Sequence, residues 1–253
     1  MAAVARPPRP KGVTPARDTV PALYVLFLRN QATKGRLALL GGLGIMGVLM
    51  GLAIRLGDTA DPISDATRFI DGFGLILLVP VTSLVFASST FGDVTDDKTL
   101  VYLWLRPVRR LHVAAAAAAA SMTICLPLVA FPLVLAAMVA QGGPALVGGT
   151  AIAVLSATTG YVGIFTWLGL RFRRALVWGL AYILLWEGFV ASAGKAASKL
   201  ALRAYSRSIL SEYTGVGLKL ATLPMYVGMM VPIIVGFVAV ILAGRRLARQ
   251  DVD

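Results

Sequence analysis

The sequence predicts an all-α, polytopic membrane protein with six transmembrane helices, and three observations carry this prediction. Hydrophobic residues make up 58% of the 253 residues and charged residues 14%, against roughly 45–50% and 25% in soluble domains. Six apolar runs reach or approach the roughly 18–20 residues that cross a bilayer. These runs and their connections use nearly all of residues 19–253, so we expect one membrane domain and no soluble one.

The predicted spans cover about residues 37–54, 69–91, 113–139, 145–170, 175–193 and 225–243. Residues 1–18 are rich in Pro and basic residues, and we expect a disordered cytoplasmic tail. An amphipathic helix over about 19–36 follows, with its Leu and Phe side chains among lipid headgroups at the interface. The same stretch superficially resembles a secretory signal, but no small-x-small cleavage site follows it.

Basic residues are unevenly distributed between the two sides of this topology. With a cytoplasmic N-terminus, the inside segments carry seven, four, three and three Lys or Arg, which is 17 of the 24 in the chain. This bias obeys the positive-inside rule and predicts that both termini are cytoplasmic. The net charge of +12 therefore requires no nucleic-acid partner. Arg outnumbers Lys 18 to 6, which is typical of a GC-rich bacterial genome and favours a bacterial plasma (inner) membrane.

The loop between the second and third spans, DVTDDKTLVYLWLRPVRRLHV (93–113), carries a distinct pattern. Apolar and aromatic residues at helical spacing predict a short helix along the cytoplasmic membrane surface. Acids before it and arginines after it suit the helix dipole, and Pro107 marks its end. The residues of this candidate docking surface are Asp96, Asp97, Thr99, Leu100, Leu103, Trp104, Arg106, Pro107 and Arg109. The alternative is a solvated helix that binds nothing.

This segment resembles the coupling segment of the type-2 (exporter) permease family of ATP-binding-cassette (ABC) transporters. The resemblance lies in an acidic pair, Thr-Leu, an apolar stretch and an Arg-Pro-Val-x-Arg ending; Lys98 replaces the family's usual glycine and Arg109 its usual serine. It implies a non-catalytic permease subunit that exports a drug-like, antibiotic or lipid-type substrate. The segment would then be a coupling helix that docks on a separate ATP-binding subunit.

The resemblance also implies the partners. These are the ABC ATP-binding subunit, which would hold ATP and magnesium, a second permease protomer in a homodimer or a heterodimer of related permeases, and membrane lipids. The sequence itself lacks a P-loop, since Gly194-Lys195 fails the glycine spacing and Ala196 follows. We therefore expect no cofactor on this chain.

Other functional classes lack their motifs. His112 is the only histidine and Cys125 the only cysteine, so neither a metal site nor a catalytic residue is predicted. Asp58, Asp61 and their neighbours form an acidic cluster without the pattern of lipid headgroup transferases. A secondary transporter or an integral membrane lipid-modifying enzyme remains the alternative function.

Glu187 is the one acid deep within a predicted span. A carboxylate at that depth is costly, which makes a substrate-path, proton or partner role one hypothesis. The other is a structural acid hydrogen-bonded to a neighbouring helix near the outer interface.

The connection between the fifth and sixth spans holds five basic residues against the charge rule. Four of them, Lys195, Lys199, Arg203 and Arg207, are spaced by four, which predicts one basic stripe on a helix that lies on the outer leaflet and binds anionic headgroups. A rival topology would place this connection inside.

Overall fold

The computed structural model describes residues 16–57, 60–96, 109–189, 195–219, 221 and 223–249, and the secondary structure in these ranges is helical. Two of the segments are π-helices, named π1 and π2 below. The elements are α1 (Ala16–Gln31), α2 (Lys34–Leu56), α3 (Pro62–Phe69), π1 (Ile70–Leu78), α4 (Val79–Asp96), α5 (Arg110–Val139), α6 (Gly143–Arg171), α7 (Ala175–Ala181), π2 (Tyr182–Phe189), α8 (Lys195–Ser198), α9 (Leu202–Thr214) and α10 (Met225–Arg249).

Five helices of the described ranges are long and apolar enough to cross a membrane, which is consistent with the predicted multi-pass membrane protein. They are α2, the continuous helix Pro62–Phe91, α5, α6 and α10. The predicted fifth span, 175–193, corresponds to a shorter apolar helix, Ala175–Gly188, and residues 190–193 lie outside the described ranges. Of the tail predicted over 1–18, residues 1–15 lie outside the described ranges. Residues 16–18 belong to α1, which begins at Ala16.

Helix α6 is the centre of the bundle and packs against α4, α5, α9 and α10. Its contact with α10 is close enough for backbone to meet backbone. A Cβ atom on Gly163 would overlap the backbone of Gly236, so both positions require glycine for this approach. Gly47 and Gly51, a Gly-x-x-x-Gly step, are likewise used within the chain, where α2 meets Phe73 and Ala136.

The two ends of the bundle differ in composition. At one end, a core cluster joins α1, α4, α5, α6 and α10 through residues that include Leu23, Phe91, Leu170 and Leu247. The N-terminal helix and the end of α10 are therefore on the same side of the bundle. At the other end lie α3, the starts of α6 and α10, and α9, whose Tyr205 and Ile209 contact Gly228.

Helix α1 packs on the protein instead of resting its whole apolar face in lipid. Leu23 and Phe27 are buried, and the Phe27 ring meets the Phe91 ring edge-on at a centroid distance of 5.7 Å. The expected headgroup location is therefore wrong for these two side chains. It is wrong because α4 and α5 supply a protein surface at that position, whereas Val25 and Leu26 remain exposed.

The predicted 19–36 helix is also wrong at its C-terminal end. Helix α1 ends at Gln31 and α2 begins at Lys34, with a turn in which Thr33 N donates to Gln31 O at 2.8 Å. The Gln31 side chain is buried, and its Oε1 accepts from Ser121 Oγ at 3.0 Å. This tertiary bond holds the turn against α5.

Candidate functional site

Helix α9 runs back into the bundle, antiparallel to α6. A Cβ on Gly160 would lie 3.2 Å from Leu202 Cδ1, and one on Gly149 would lie 2.8 Å from Tyr213 Cβ. The two contacts are eleven residues apart on each helix, so the helices run alongside each other over that length. At 1.5 Å per residue, Gly160 is roughly 26 Å from the start of α6. The N-terminus of α9 is therefore deep in the bundle.

Glu187 of π2 caps that buried N-terminus. Its Oε1 accepts from Leu202 N at 2.9 Å, and its Oε2 accepts from Arg203 N at 3.1 Å. Helix α9 has no local capping side chain, since Ala201 occupies its N-cap. Backbone N–H groups at a helix start lack intrahelical partners, and a carboxylate there also suits the helix dipole. The geometry thus matches the structural interpretation of Glu187, with a neighbouring helix as its partner.

Tyr182, about one π-helical turn before Glu187, completes this arrangement. Its hydroxyl donates to Glu187 Oε1 at 3.0 Å. Glu187 is only 3% exposed, and Tyr161 also bonds to its carboxyl group, beside Tyr182 and the backbone of Leu202 and Arg203. Hydrogen bonds therefore satisfy the Glu187 carboxyl group, and in the described part of the chain no ion pair to a side-chain cation adds to them.

Asp71 and Arg207 form a second buried contact, between π1 and α9. Arg207 Nε donates to Asp71 Oδ1 at 2.8 Å, and Nη2 donates to Oδ2 at 2.6 Å. The third nitrogen, Nη1, donates to the Lys219 carbonyl oxygen at 2.8 Å. Both residues are under 10% exposed. This bidentate geometry is the strong form of an arginine–carboxylate pair.

Arg203 is also buried, at 8% exposure. Within the described ranges no hydrogen bond or ion pair reaches its guanidinium, because the nearby carboxylates of Glu187 and Asp71 bond to other groups. Asp71, Glu187, Arg203 and Arg207 are called the buried charged cluster below. The cluster contains two acids and two arginines. Among the described residues, the guanidinium of Arg203 bonds to neither acid.

The structure does not present the predicted basic stripe. The helix is broken between α8 and α9, and Arg203 and Arg207 are buried while Lys199 is exposed. The side chain of Lys195 lies outside what the structure describes. The prediction of one exposed stripe is wrong for Arg203 and Arg207, because the acids of π1 and π2 attract that face of α9 into the bundle.

A cavity of about 150 Å³ reaches the cluster from the side of the bundle. Its walls come mainly from π1 and π2, with Val81 of α4 and Leu180 of α7, and are almost entirely apolar. Glu187, Arg203 and Tyr161 form its polar floor. Its rim is formed by Leu77, Leu180 and Leu184, which are exposed.

Most of the residues that line the cavity belong to the π-helices Ile70–Leu78 and Tyr182–Phe189. π-Helices are rare and occur frequently at functional sites. The sequence pattern identified Glu187 as an intramembrane acid and placed Arg203 and Arg207 in a basic stripe, but it did not predict that Asp71, Tyr182 and Tyr161 share one site with them. The sequence does show that an acid within a membrane span needs a basic or hydrogen-bonding partner. It does not show which residue that partner is.

The predicted docking surface lies almost wholly outside the described ranges. Asp96 is the last residue of α4, and Arg109 is exposed directly before α5. The coupling helix therefore stays a prediction. The other members of the docking surface all fall within 97–108, and they are Asp97, Thr99, Leu100, Leu103, Trp104, Arg106 and Pro107.

The buried charged cluster offers groups that can bind and position an anion or a helix end. Over the described part of the chain, no three His, Cys, Asp or Glu side chains converge as metal ligands. The acids of the buried charged cluster are occupied by Arg207 and by the start of α9, which leaves Arg203 and an apolar cavity.

In comparisons with known proteins, no family model matches the chain and no curated protein matches it.

Proposed function

We propose that this chain is the transmembrane permease subunit of an ABC exporter and that a separate subunit hydrolyses ATP. The observation that carries the proposal is the segment from Asp96 to Arg110, with its acidic pair, Thr-Leu and Arg-Pro-Val-x-Arg ending. Its position between the second and third apolar helices, in a chain without a P-loop, supports the same assignment.

The helices that flank this segment suit a mechanical role. The helix before it runs without interruption from Pro62 through π1 to Asp96, and α5 continues from Arg110 for 30 residues. Both pack against the central helix α6. A displacement of the segment by a closing ATPase subunit would therefore pass directly into the bundle, as a hinge or shear motion.

The proposed location is a bacterial plasma membrane with both termini in the cytoplasm. The same-side position of α1 and the end of α10 supports this. The arginines that follow α6 and those near the end of α10 are on that side too, since Arg246 Nε donates to Leu170 O at 3.4 Å. Such an accumulation is typical of a cytoplasmic face.

A second permease protomer completes the proposed transporter. Large apolar side chains on α2 and α7 are exposed, among them Leu39, Leu49, Val177 and Trp178. In a membrane these faces contact lipid or a second protomer. Drug-like, antibiotic and lipid-type molecules are the proposed substrate classes.

Co-expression with an ATPase subunit encoded next to this chain tests the proposal. We expect the two chains to co-purify in detergent and the permease to stimulate ATP turnover after reconstitution. The matched control is the same ATPase with the permease variant D96K/D97K, which keeps every apolar run intact. Absence of a complex with any neighbouring ATPase, under conditions where the permease alone is monodisperse, contradicts the assignment.

A further inference from the structure

Of the four side chains in the buried charged cluster, three have hydrogen-bonded partners among the described residues, and the guanidinium of Arg203 has none. Asp71 is matched by Arg207 through two hydrogen bonds, and Glu187 is occupied by the start of α9 and by Tyr182. Arg203, by contrast, has its backbone N–H bonded and its guanidinium free of any bonded group among the described residues. Arg203 is only 8% exposed and its side chain lines the cavity, so bulk solvent solvates its charge poorly and an anion that enters the cavity is stabilised by it.

The cavity gives such an anion a route to Arg203. Arg203 and Glu187 lie in its lining, and its volume of about 150 Å³ is far above the roughly 10–15 Å³ that one water needs. The guanidinium offers planar paired donors, which match the oxygens of a phosphate or carboxylate. Glu187 bonds to Tyr182, Tyr161 and the backbone of Leu202 and Arg203, and among the described residues none of its bonds goes to the guanidinium of Arg203.

The rim of the cavity defines the rest of the ligand. Leu77, Leu180 and Leu184 are exposed by 42%, 47% and 60%, and they belong to the apolar surface that faces hydrocarbon in a bilayer. Water-soluble anions have no favourable path across such a rim. A ligand that places an anionic group on Arg203 and an apolar chain between these leucines satisfies both parts.

We propose that this cavity is a binding site for the phosphate or carboxylate group of an anionic amphiphile, with Arg203 as its counter-charge and the leucine rim as the contact for its apolar chain. The site differs from the predicted surface stripe, because the basic group is buried and is reached from the side of the bundle. The proposal does not depend on the permease assignment. A lipid headgroup and free phosphate share this anionic chemistry; the apolar rim favours the lipid, and the experiment below separates the two.

Native mass spectrometry of the full-length chain in detergent tests the site without any ATPase subunit. The probes are phosphatidylglycerol, phosphatidylcholine with the same acyl chains, and inorganic phosphate. We expect wild type to bind one phosphatidylglycerol in preference to phosphatidylcholine. The R203Q variant should lose about tenfold or more of that affinity, as expected for a charge-assisted contact. The control K199Q removes an exposed charge four residues away and should leave the affinity unchanged.

A second variant separates the site from general misfolding. L184W narrows the rim at an exposed position without changing any charge, and it should weaken phosphatidylglycerol binding while the melting temperature stays near that of wild type. Displacement of the lipid by millimolar inorganic phosphate would assign the site to the free anion, and its failure to displace would assign it to the amphiphile. Equal binding of both lipids, or an R203Q variant that binds as wild type does, overturns the proposal.

Discussion

The guanidinium of Arg207 and the carboxylate of Asp71 face each other through hydrogen bonds of 2.8 and 2.6 Å although the two residues are 136 positions apart in the chain. This contact ties the first half of the protein, through π1, to the helix α9 that returns into the bundle. It also places Arg203, one turn earlier on α9, beside the cavity.

Loss of either partner of this pair should destabilise the protein strongly. D71N or R207Q leaves one buried polar group uncompensated, which costs about 3–5 kcal/mol when a buried ion pair is broken on one side only. We expect a lower melting temperature by circular dichroism in detergent for each single variant. The double variant D71L/R207M should fall less than the sum of the two, because no charge is then left buried.

Asp65 supplies the control for that series, since it lies on the same continuous helix and is half-buried. D65N should leave the melting temperature close to wild type. If D71N were as mild as D65N, the pair would not hold α9 in place.

Glu187 should act through helix α9 and not through transport chemistry. E187A leaves the backbone N–H groups of Leu202 and Arg203 without their acceptor, at a cost of about 1–3 kcal/mol for each buried group. Hydrogen exchange at these two amides should therefore become faster. E187Q retains one acceptor oxygen, so it should lose less stability and should transport at a rate near wild type.

The matched control for this prediction is E212Q. Glu212 Oε2 accepts from Met225 N at 2.7 Å at an exposed position, where water replaces the lost bond. Transport abolished in E187Q with unchanged exchange at 202 and 203 would instead establish a proton or substrate role.

The approach of α6 to α10 should not tolerate a side chain at Gly163. A Cβ there would overlap the Gly236 backbone, and overpacking of this kind costs about 1–3 kcal/mol. G163A should therefore lower the melting temperature. G42A, at an exposed helical glycine with nothing within 4 Å of the added Cβ, should leave stability unchanged or raise it by about 0.5–1 kcal/mol. Equal effects of the two variants would show that the helices do not approach at this point.

Variants of the proposed coupling segment should separate ATP hydrolysis from transport. W104A removes the predicted aromatic anchor, and D96K/D97K reverses the predicted orienting charges; buried aromatics dominate interface energies and charges set orientation. Both should insert normally in the membrane, because neither change touches an apolar run, yet transport per ATP hydrolysed in reconstituted vesicles should fall. D65K, at the opposite end of the same helix as Asp96, is the control. Normal transport by both segment variants, with the complex intact, would reduce the segment to a solvated loop.

The sequence by itself determined the membrane class and the positions of five long apolar helices, because hydrocarbon solvent imposes a length and a composition that are visible locally. The start of α10 at Met225 and the end of α5 at Val139 agree with the predicted spans for this reason. Some helices start earlier than the predicted span, because polar residues continue the helix beyond the apolar run. The second span was predicted from residue 69, for example, but its helix begins at Pro62. The coupling segment is a prediction from sequence pattern alone.

Only the tertiary structure decided the site. Periodicity placed Arg203 and Arg207 on one face of a helix, but it could not tell whether that face meets lipid headgroups or acids from another helix. The outcome depended on Asp71 and Glu187, which are distant in sequence and become neighbours of α9 only through packing around α6. Burying a charge is costly unless opposite charges or hydrogen-bond partners lie nearby, so the burial of these arginines is a property of the assembled bundle and not of their own segment.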